Sequence, residues 1–193
     1  YVSYLYTLGI SDLYTSPFLQ ARPGSTHGYD IVDHGAINSE IGTLTELHAL
    51  RSALREHHMG LVADVVPNHM CASPKHNRWW LDVLESGPSS AYACYFDIDW
   101  HPLKPDLVSK VLLPVLGAQY GEELEAGKLQ VHYEDGTFIL QYYEHRIPLA
   151  PESYAQILSP PVEDLRRLLG EEHDNLMEYL SILTAMKNLP AQG

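Results

Sequence analysis

The sequence is poor in cysteine and in basic residues, and it lacks any long apolar run. Its two cysteines, Cys71 and Cys94, form no Cys-x-x-Cys pattern, which excludes a disulfide framework and favours a reducing compartment such as the cytoplasm. Lys and Arg number 12 against 25 Asp and Glu, which argues against nucleic acid as a partner. No apolar run approaches the roughly 20 residues that cross a bilayer, so no membrane partner is expected.

What is present is typical of a globular protein. The chain has 193 residues, of which 45% are hydrophobic and 19% are charged, enough for a good-sized core. It opens with YVSYLYTLGI, whose apolar residues have helical spacing and end at Gly9. Because no initiator methionine and no helix cap precede this helix, we expect the chain to be a piece of a longer protein.

The first third predicts a βαβ unit. ISDLYTSPF predicts a strand, residues Leu19 to Gly42 a long loop, Thr43 to Met59 a helix, and GLVADVV a second strand. Thr43 and Glu46 match a capping box. Strands joined in this way are parallel, and ligands bind beyond their carboxyl ends. We therefore expect the loop and the following PNHM segment to face each other across one site.

The remainder predicts an α+β arrangement. An aromatic stretch is followed by two β-rich runs around Asp135 and Gly136, which predict a hairpin. Two helices are predicted at Pro161 to Gly170 and Asp174 to Leu189. We place a boundary after residue 75, with a partial catalytic barrel at 1–75 and an inserted subdomain at 76–193.

An aspartate inside an apolar run singles out GLVADVVPNHM. Burying a carboxylate is costly without a partner, so Asp64 is expected to pair with an Arg or Lys from a neighbouring strand. Strand alternation would turn Asp64, Val66 and Asn68 to one side. Two interpretations of Asp64 stay open. It is either a structural carboxylate whose hydrogen bonds are satisfied within the core, or part of a site that carries out chemistry.

The loop carries a second cluster in RPGSTHGYD. Tyr29 offers a flat ring, His27 and Asp30 offer directed hydrogen bonds, and the glycines let backbone come close. These are the groups that a sugar needs, namely aromatic faces for its C–H groups and polar side chains for its hydroxyls. Turns also collect such residues, so the motif alone is weak.

Metal and aromatic sites are the other candidates. Asp64, Asn68, Asp97 and Asp99 are oxygen donors that calcium takes, but no loop has EF-hand spacing, and the eleven histidines show no zinc pattern. We therefore predict no metal and no cofactor. YACYFDIDW could be a sugar platform or a packed satellite core, and packing is the commoner role of aromatics.

Two motifs carry a family resemblance. DVVPNH (Asp64 to His69) resembles the first signature of the α-amylase superfamily of glycoside hydrolases, and HGYD resembles its sugar-binding tyrosine region. More narrowly, ARPGSTHGYDIVDH, WWLDVLE, YFDIDW, LLPVLGAQYGE and YYEHRIPLAP resemble the maltooligosyltrehalose synthase family. These blocks run over most of the chain.

The resemblance implies a fold and residue roles. The fold would be α/β, a partial TIM (β/α)8 barrel containing strands two and three, with an α+β insertion subdomain. Asp64 would support catalysis by pairing with an arginine of the next signature. Tyr29 would stack on the glucose at the cleaved bond, and Asn68 would be a hydrogen-bonding residue rather than a calcium ligand. The implied substrate-binding residues are His27, Tyr29, Asp30, Asn68 and His69.

The implied activity belongs to an intramolecular transglycosylase. Such an enzyme turns the reducing-end α-1,4 linkage of a maltooligosaccharide into an α,α-1,1 trehalose end, an isomerase reaction of trehalose biosynthesis. The family's nucleophile pattern GxRxDxxxH, its Glu block and its His-Asp block do not occur in this sequence. We therefore predict that this chain alone is inert.

Two alternatives to this function stay open. The parent could be another α-amylase-superfamily hydrolase or glucan transferase, which would release glucose or maltose. The chain could also be a non-catalytic carbohydrate-binding fragment. Since an incomplete barrel exposes strand edges and apolar faces, we further expect a tendency towards self-association.

Overall fold

The computed structural model describes residues 1–189, which divide into two compact units. The first unit is Tyr1–Arg78 and the second begins at Trp79. Residues 190–193 of the second predicted domain lie outside the described residues. The predicted boundary after residue 75, and the insertion of the second domain into a barrel, stay predictions.

The first unit contains the βαβ unit. Its elements are α1 (Val2–Thr7), β1 (Asp12–Thr15), β2 (Leu19–Ala21), β3 (Ile31–Ile37), α2 (Leu44–Glu56) and β4 (Gly60–Ala63). Strands β1 and β4 are parallel, with Asp12 opposite Gly60 and Thr15 opposite Ala63. The two strands and the helix between them confirm the predicted βαβ order.

Helix α2 begins with the predicted capping box. The Thr43 hydroxyl accepts a hydrogen bond from the Glu46 backbone N–H at 3.2 Å, and the Glu46 carboxylate accepts one from the Thr43 N–H at 2.8 Å. Both bonds satisfy N–H groups that have no partner inside the helix. The Thr43 hydroxyl also donates to the Glu46 carboxylate at 2.8 Å, and this bond, together with the one from the Thr43 N–H, lowers the pKa of the Glu46 carboxyl.

The structure corrects two local predictions in this unit. Residues 19–42 are not a loop throughout, because β2 and β3 pair antiparallel, with register shifts. The second strand ends at Ala63 rather than at Val66. Its partner β1 ends before Pro17, a residue that has no N–H to donate to a neighbouring strand. The last hydrogen bond between the two strands runs from the Asp64 N–H to the Thr15 carbonyl at 3.3 Å.

The second unit combines helices with a three-stranded sheet. Helix α3 (Arg78–Ser86) leads into it, and its further elements are α4 (Tyr120–Glu125), β5 (Gln130–Glu134), β6 (Thr137–Tyr142), β7 (His145–Pro148), α5 (Tyr154–Leu158), α6 (Val162–Leu169) and α7 (Asp174–Lys187). The predicted helices at 161–170 and 174–189 are thus confirmed to within two residues at each end. Helices α3, α4 and α5 were not predicted.

The predicted hairpin is confirmed and has an additional strand. Asp135 and Gly136 both have positive φ angles, 50° and 85°, as a two-residue hairpin turn with right-handed strand twist requires. The sheet order is β5-β6-β7, antiparallel throughout. The turn into β7 places Tyr143 at φ 49°, and because tyrosine is not a usual turn residue the sequence did not signal this strand.

Each unit has its own apolar core. The buried apolar residues of the first unit are Ala21, Ile31, Leu54, Met59, Val66 and Cys71, and those of the second are Val83, Ile139, Tyr142, Tyr154, Leu176 and Leu183. The β1–β4 pair is less well covered, since Tyr14, Leu61 and Val62 are exposed. Within residues 1–189, no helix has the length and apolar character to cross a membrane.

We predict that the α2 cap contributes measurably to the stability of the first unit. Replacing Thr43 by Ala should lower the free energy of unfolding by about 1 kcal/mol, because the Glu46 N–H loses its acceptor. Urea denaturation measures the change. Thr45→Ala is the matched control: Thr45 is exposed inside the same helix, where alanine is favoured, so an equal loss in the control would contradict the prediction.

Candidate functional site

Asp64 is the hydrogen-bonding centre of the site. The hydroxyls of Tyr14 and Tyr29 both donate to its Oδ2 atom, each at 2.6 Å. Tyr14 lies on β1 opposite Val62, Asp64 directly follows β4, and Tyr29 belongs to the segment between β2 and β3. One carboxylate oxygen therefore joins three separate parts of the first unit.

These bonds change the acidity of all three groups. The two phenol donors stabilise the carboxylate and hold the pKa of Asp64 below its ordinary value. The hydrogen bond to Asp64 raises the pKa of Tyr14 to about 12. The corresponding bond from Tyr29 raises the pKa of the Tyr29 phenol as well. At neutral pH the arrangement is therefore one carboxylate with two neutral donors, which suits hydroxyl recognition rather than proton transfer.

Gly28 brings Tyr29 to this position. Gly28 is buried at φ 78°, and a Cβ atom there would stand 2.7 Å from the Pro17 carbonyl oxygen. Both the left-handed backbone and the close approach require glycine. The motif HGYD therefore needs its glycine so that the loop can pack against the end of β1 and project the tyrosine.

Asp30 stabilises the segment between β2 and β3 through hydrogen bonds to residues of the same segment. Its Oδ2 accepts a hydrogen bond from Arg22 Nε at 3.0 Å, and its Oδ1 accepts one from the Ser25 hydroxyl. Partial burial alone would raise the pKa of Asp30, but these hydrogen bonds outweigh it and lower the pKa. The carboxylate thus orders the turn that carries Tyr29.

His69 closes the other side of the site. Its Nε2 donates to the Tyr29 carbonyl oxygen at 3.1 Å. Two further bonds fix the segment that contains it: His34 Nε2 donates to the Val66 carbonyl at 2.9 Å, and the Cys71 N–H donates to the Ile31 carbonyl at 2.8 Å. The predicted juxtaposition of the loop and the PNHM segment is therefore present.

His27 lies against Tyr29. The two rings are stacked with their centroids 6.0 Å apart, and His27 Nδ1 accepts the Tyr29 N–H at 3.0 Å. Because that nitrogen is an acceptor, its 4.0 Å separation from Asp30 is not a hydrogen-bonded ion pair. His27 also lines an apolar cavity of about 330 Å³ bordered by Leu47, Leu50 and Leu61.

The structure corrects the expected setting of Asp64. The carboxylate is half-buried, not deep in a strand face, and its partners here are tyrosine hydroxyls. Since β4 ends at Ala63, strand alternation does not apply to Val66 and Asn68, and indeed Val66 is buried whereas Asn68 is exposed. Pairing of Asp64 with an arginine of the next signature stays a prediction.

Sequence reasoning missed Tyr14. A signal existed, because Tyr14 precedes the end of β1 on the strand that neighbours the one leading to Asp64.

As for metals, residues 1–189 contain no group of three or more His, Cys, Asp or Glu side chains placed to hold an ion. The phenols, the carboxylate and the imidazoles of the site are suited to hydrogen bonding and ring stacking.

Comparisons with known proteins show which families the chain is similar to. The model of the family "Alpha amylase, catalytic domain" matches residues 1–145. A putative maltooligosyl trehalose synthase from Mycobacterium tuberculosis is 40% identical over 175 residues, which are 89% of this chain and 21% of that protein. An oligo-1,6-glucosidase from Bacillus cereus is 34% identical over 103 residues, 53% of this chain and 17% of that protein.

Solved structures give the same picture. The maltooligosyltrehalose synthase from Arthrobacter ramosus is 45% identical, with a TM-score of 0.63 over 77% of this chain and 18% of that one. A hypothetical maltooligosyl trehalose synthase from Sulfolobus tokodaii is 32% identical, with a TM-score of 0.62 over 86% of this chain and 21% of that one. The chain spans about a fifth of the length of these relatives.

We predict that Tyr14 helps to keep Asp64 ionised. In Tyr14→Phe the pKa of Asp64 should rise towards its ordinary value, because one of its two donors is lost. Carboxyl-carbon NMR during an acid titration measures it. The stability linked to the depressed pKa is present above the ordinary value and is lost as pH falls through the folded one, so Tyr14→Phe should weaken this acid dependence. Tyr4→Phe, an exposed tyrosine of α1, should leave Asp64 unchanged; an equal shift there would refute the assignment.

We also predict that Gly28 is needed for packing as well as for its backbone angle. Gly24, at φ 74° with open space around it, is the matched control. Gly24→Ala should cost about 1 kcal/mol of unfolding free energy from the left-handed backbone, and Gly28→Ala about 1–3 kcal/mol more from overpacking against Pro17. Urea denaturation compares them, and equal losses would show that the Pro17 contact is unimportant.

Proposed function

Because the chain belongs to the α-amylase catalytic-domain family, we propose that it supplies the sugar-holding wall of a maltooligosyltrehalose synthase. The resemblance to these synthases that the motifs predicted is confirmed by the relatives, and the fold is that of part of an α-amylase-type barrel. The reaction of the whole enzyme would convert the reducing-end α-1,4 linkage of a maltooligosaccharide into an α,α-1,1 trehalose linkage.

One observation carries the proposal: Tyr29, Asp64 and His69 converge. They come from two motifs 35 residues apart in sequence, yet Tyr29 bonds Asp64 through its hydroxyl and His69 through its carbonyl. The result is an aromatic ring with a carboxylate and an imidazole beside it. Such a ring can stack on the C–H face of a glucose while the polar groups meet its hydroxyls.

Within this proposal each residue has a role. Tyr29 stacks on the glucose at the bond that is broken, and His69 hydrogen-bonds its hydroxyls. His27, Asp30 and Asn68 contribute to the rim, with Asp30 acting mainly through the loop that it orders. Asp64 supports the site by orienting Tyr29 and, in the whole enzyme, by pairing with an arginine.

The elements would be two strands of a (β/α)8 barrel. We assign β1 and β4 to its second and third strands, and the second domain, residues 76–193, to an insertion after the third strand. The parallel pairing of β1 with β4, which α2 connects, supports the assignment of these two strands. The exposed Tyr14, Leu61 and Val62 on these strands support a tendency of the chain to self-associate when nothing covers them.

The catalytic carboxylates are not assigned to this chain. A retaining glycosidase mechanism needs a carboxylate nucleophile and a carboxylic acid/base, and neither family pattern occurs in the sequence. We propose that the 193-residue chain alone binds maltooligosaccharides without converting them. The family mechanism, with a glycosyl-enzyme intermediate and transfer to the released glucose, would need a site that keeps water away.

The proposed setting is a reducing compartment such as the cytoplasm. Cys71 is buried, Cys94 is exposed, and both are free thiols, a usage that suits a compartment in which disulfides do not persist. The proposed partner is a maltooligosaccharide. The net charge of -13 disfavours polyanionic partners such as nucleic acid.

A chimeric enzyme tests the function. The segment of the Arthrobacter ramosus synthase that aligns with this chain is replaced by it, and maltopentaose is the substrate. We expect loss of reducing ends at a rate within about tenfold of the unaltered synthase. Tyr29→Ala in the chimera should lower kcat/KM about a hundredfold, because a misplaced substrate reacts that much more slowly.

The products separate the alternatives. Released glucose or maltose, with a rise in reducing ends, would identify the segment as that of a hydrolase and overturn the proposal. The 193-residue chain alone should leave maltopentaose unchanged, and any conversion by it would refute its predicted inertness. A chimera that folds and binds maltopentaose but has no activity would favour a non-catalytic carbohydrate-binding origin.

A further inference from the structure

An aromatic cluster in the second unit takes no part in the site described above. Trp79 and Tyr92 are stacked with their rings 9° from parallel and their centroids 5.3 Å apart. Tyr95 lies 5.1 Å from Trp79 and 6.4 Å from Tyr92. The three rings form one continuous group, which we call the aromatic platform.

Local geometry explains how the platform forms. Ala93–Tyr95 is a 3₁₀ helix, and the Tyr95 N–H donates to the Tyr92 carbonyl at 3.0 Å. Because a 3₁₀ helix has three residues per turn, Tyr92 and Tyr95 project to the same side. Trp79 comes from the first turn of α3, so the platform joins a helix to the turn that follows it.

A polar network holds the two parts together. The buried Ser90 donates from its hydroxyl to Asp82 Oδ2, and the same hydroxyl accepts the Tyr92 N–H at 3.0 Å. Asp82 lies three residues after Trp79 on α3, which places both side chains on one helix face. A carboxylate is thus fixed beside the rings.

The platform is not a packed core. In the same unit Tyr142 and Tyr154 are core residues with exposures of 3% and 6%, whereas Tyr95 is 65% exposed and neither Trp79 nor Tyr92 is buried. The sequence left open whether YACYFDIDW is a sugar platform or a satellite core. The exposure of Tyr95, together with the incomplete burial of Tyr92, favours the platform.

The charged residues of the segment that carries the aromatic platform indicate which class of ligand it suits. Between Arg78 and Lys104 the chain has four acidic residues and no further Lys or Arg. Anionic ligands such as phosphates and nucleic acids are therefore disfavoured, and a neutral molecule that combines apolar C–H faces with hydroxyl donors suits aromatic rings beside carboxylates. Carbohydrate has both properties.

We propose that Trp79, Tyr92 and Tyr95 form a second carbohydrate-binding surface, on which a glucose ring of an α-1,4-glucan stacks and donates a hydroxyl hydrogen bond to Asp82. The carbohydrate class follows from the platform itself, and only the choice of an α-1,4-glucan rests on the proposed function. The surface would hold a sugar unit of the glucan without contributing to the chemical step.

Tryptophan fluorescence isolates this surface, because all three tryptophans, Trp79, Trp80 and Trp100, belong to the second unit. The 193-residue chain is titrated with maltoheptaose. We expect a saturable change in tryptophan emission, and a smaller change or none with the β-linked cellopentaose. No change with either sugar would overturn the proposal.

Variants at Tyr95 test the contact directly. Tyr95→Ala should weaken binding about tenfold or more, as expected for loss of an aromatic anchor, and Tyr95→Phe should retain it because the ring is kept. Tyr120→Ala is the matched control, a tyrosine of the same unit that is 63% exposed on α4. Equal weakening in Tyr95→Ala and Tyr120→Ala would overturn the proposal. Far-UV circular dichroism checks folding, and Tyr95→Leu replaces Tyr95→Ala if the latter does not fold.

Tyr29→Ala separates this surface from the site of the first unit. We expect the tryptophan response to persist in Tyr29→Ala, because the platform binds sugar by itself. If Tyr29→Ala abolishes the response and Tyr95→Ala preserves it, the platform is refuted while the proposed sugar-holding wall stands. If the chimera fails and the tryptophan response remains, the proposed enzyme function is refuted and the platform stands.

Discussion

The site depends on one oxygen atom. Asp64 Oδ2 accepts hydrogen bonds from Tyr14 and Tyr29 at once, and through it the end of β4 is joined to β1 and to the loop between β2 and β3. Because the acceptor is a carboxylate, each bond is stronger than one between neutral groups. His69 then bonds the Tyr29 backbone, so the positions of Tyr14, Tyr29 and His69 are linked through this atom.

The parts of the fold that could be predicted from sequence are those with local signals. The Thr43 and Glu46 pair marks the start of α2, and Asp135 with Gly136 marks a turn, since each acts through its own neighbours along the chain. The end of β4 could not be predicted in this way. It is set by Pro17, which ends the partner strand β1 and is remote in sequence, so the strand stops inside a run whose composition suggests continuation.

The candidate site also has a part that could be predicted from the sequence and a part that could not. The motifs identified Tyr29, Asp64 and His69, and the topology of a βαβ unit explains why they meet. The predicted arginine partner of Asp64 stays a prediction, whereas Tyr14, which no motif indicated, reaches the carboxylate from the neighbouring strand. Whether the aromatic residues after Trp79 pack or present a surface depends on exposure, a property of the folded unit that residue types do not determine.

The close approach of Gly28 to Pro17 has a consequence for recognition. A loop held against a strand end by backbone contact, with Asp30 tied to Arg22 and Ser25, has lost its conformational freedom before any ligand arrives. The entropy of ordering Tyr29 is then a cost of folding rather than of association. Preorganisation of this kind lets a small, weakly apolar molecule such as a glucose unit be held by few contacts.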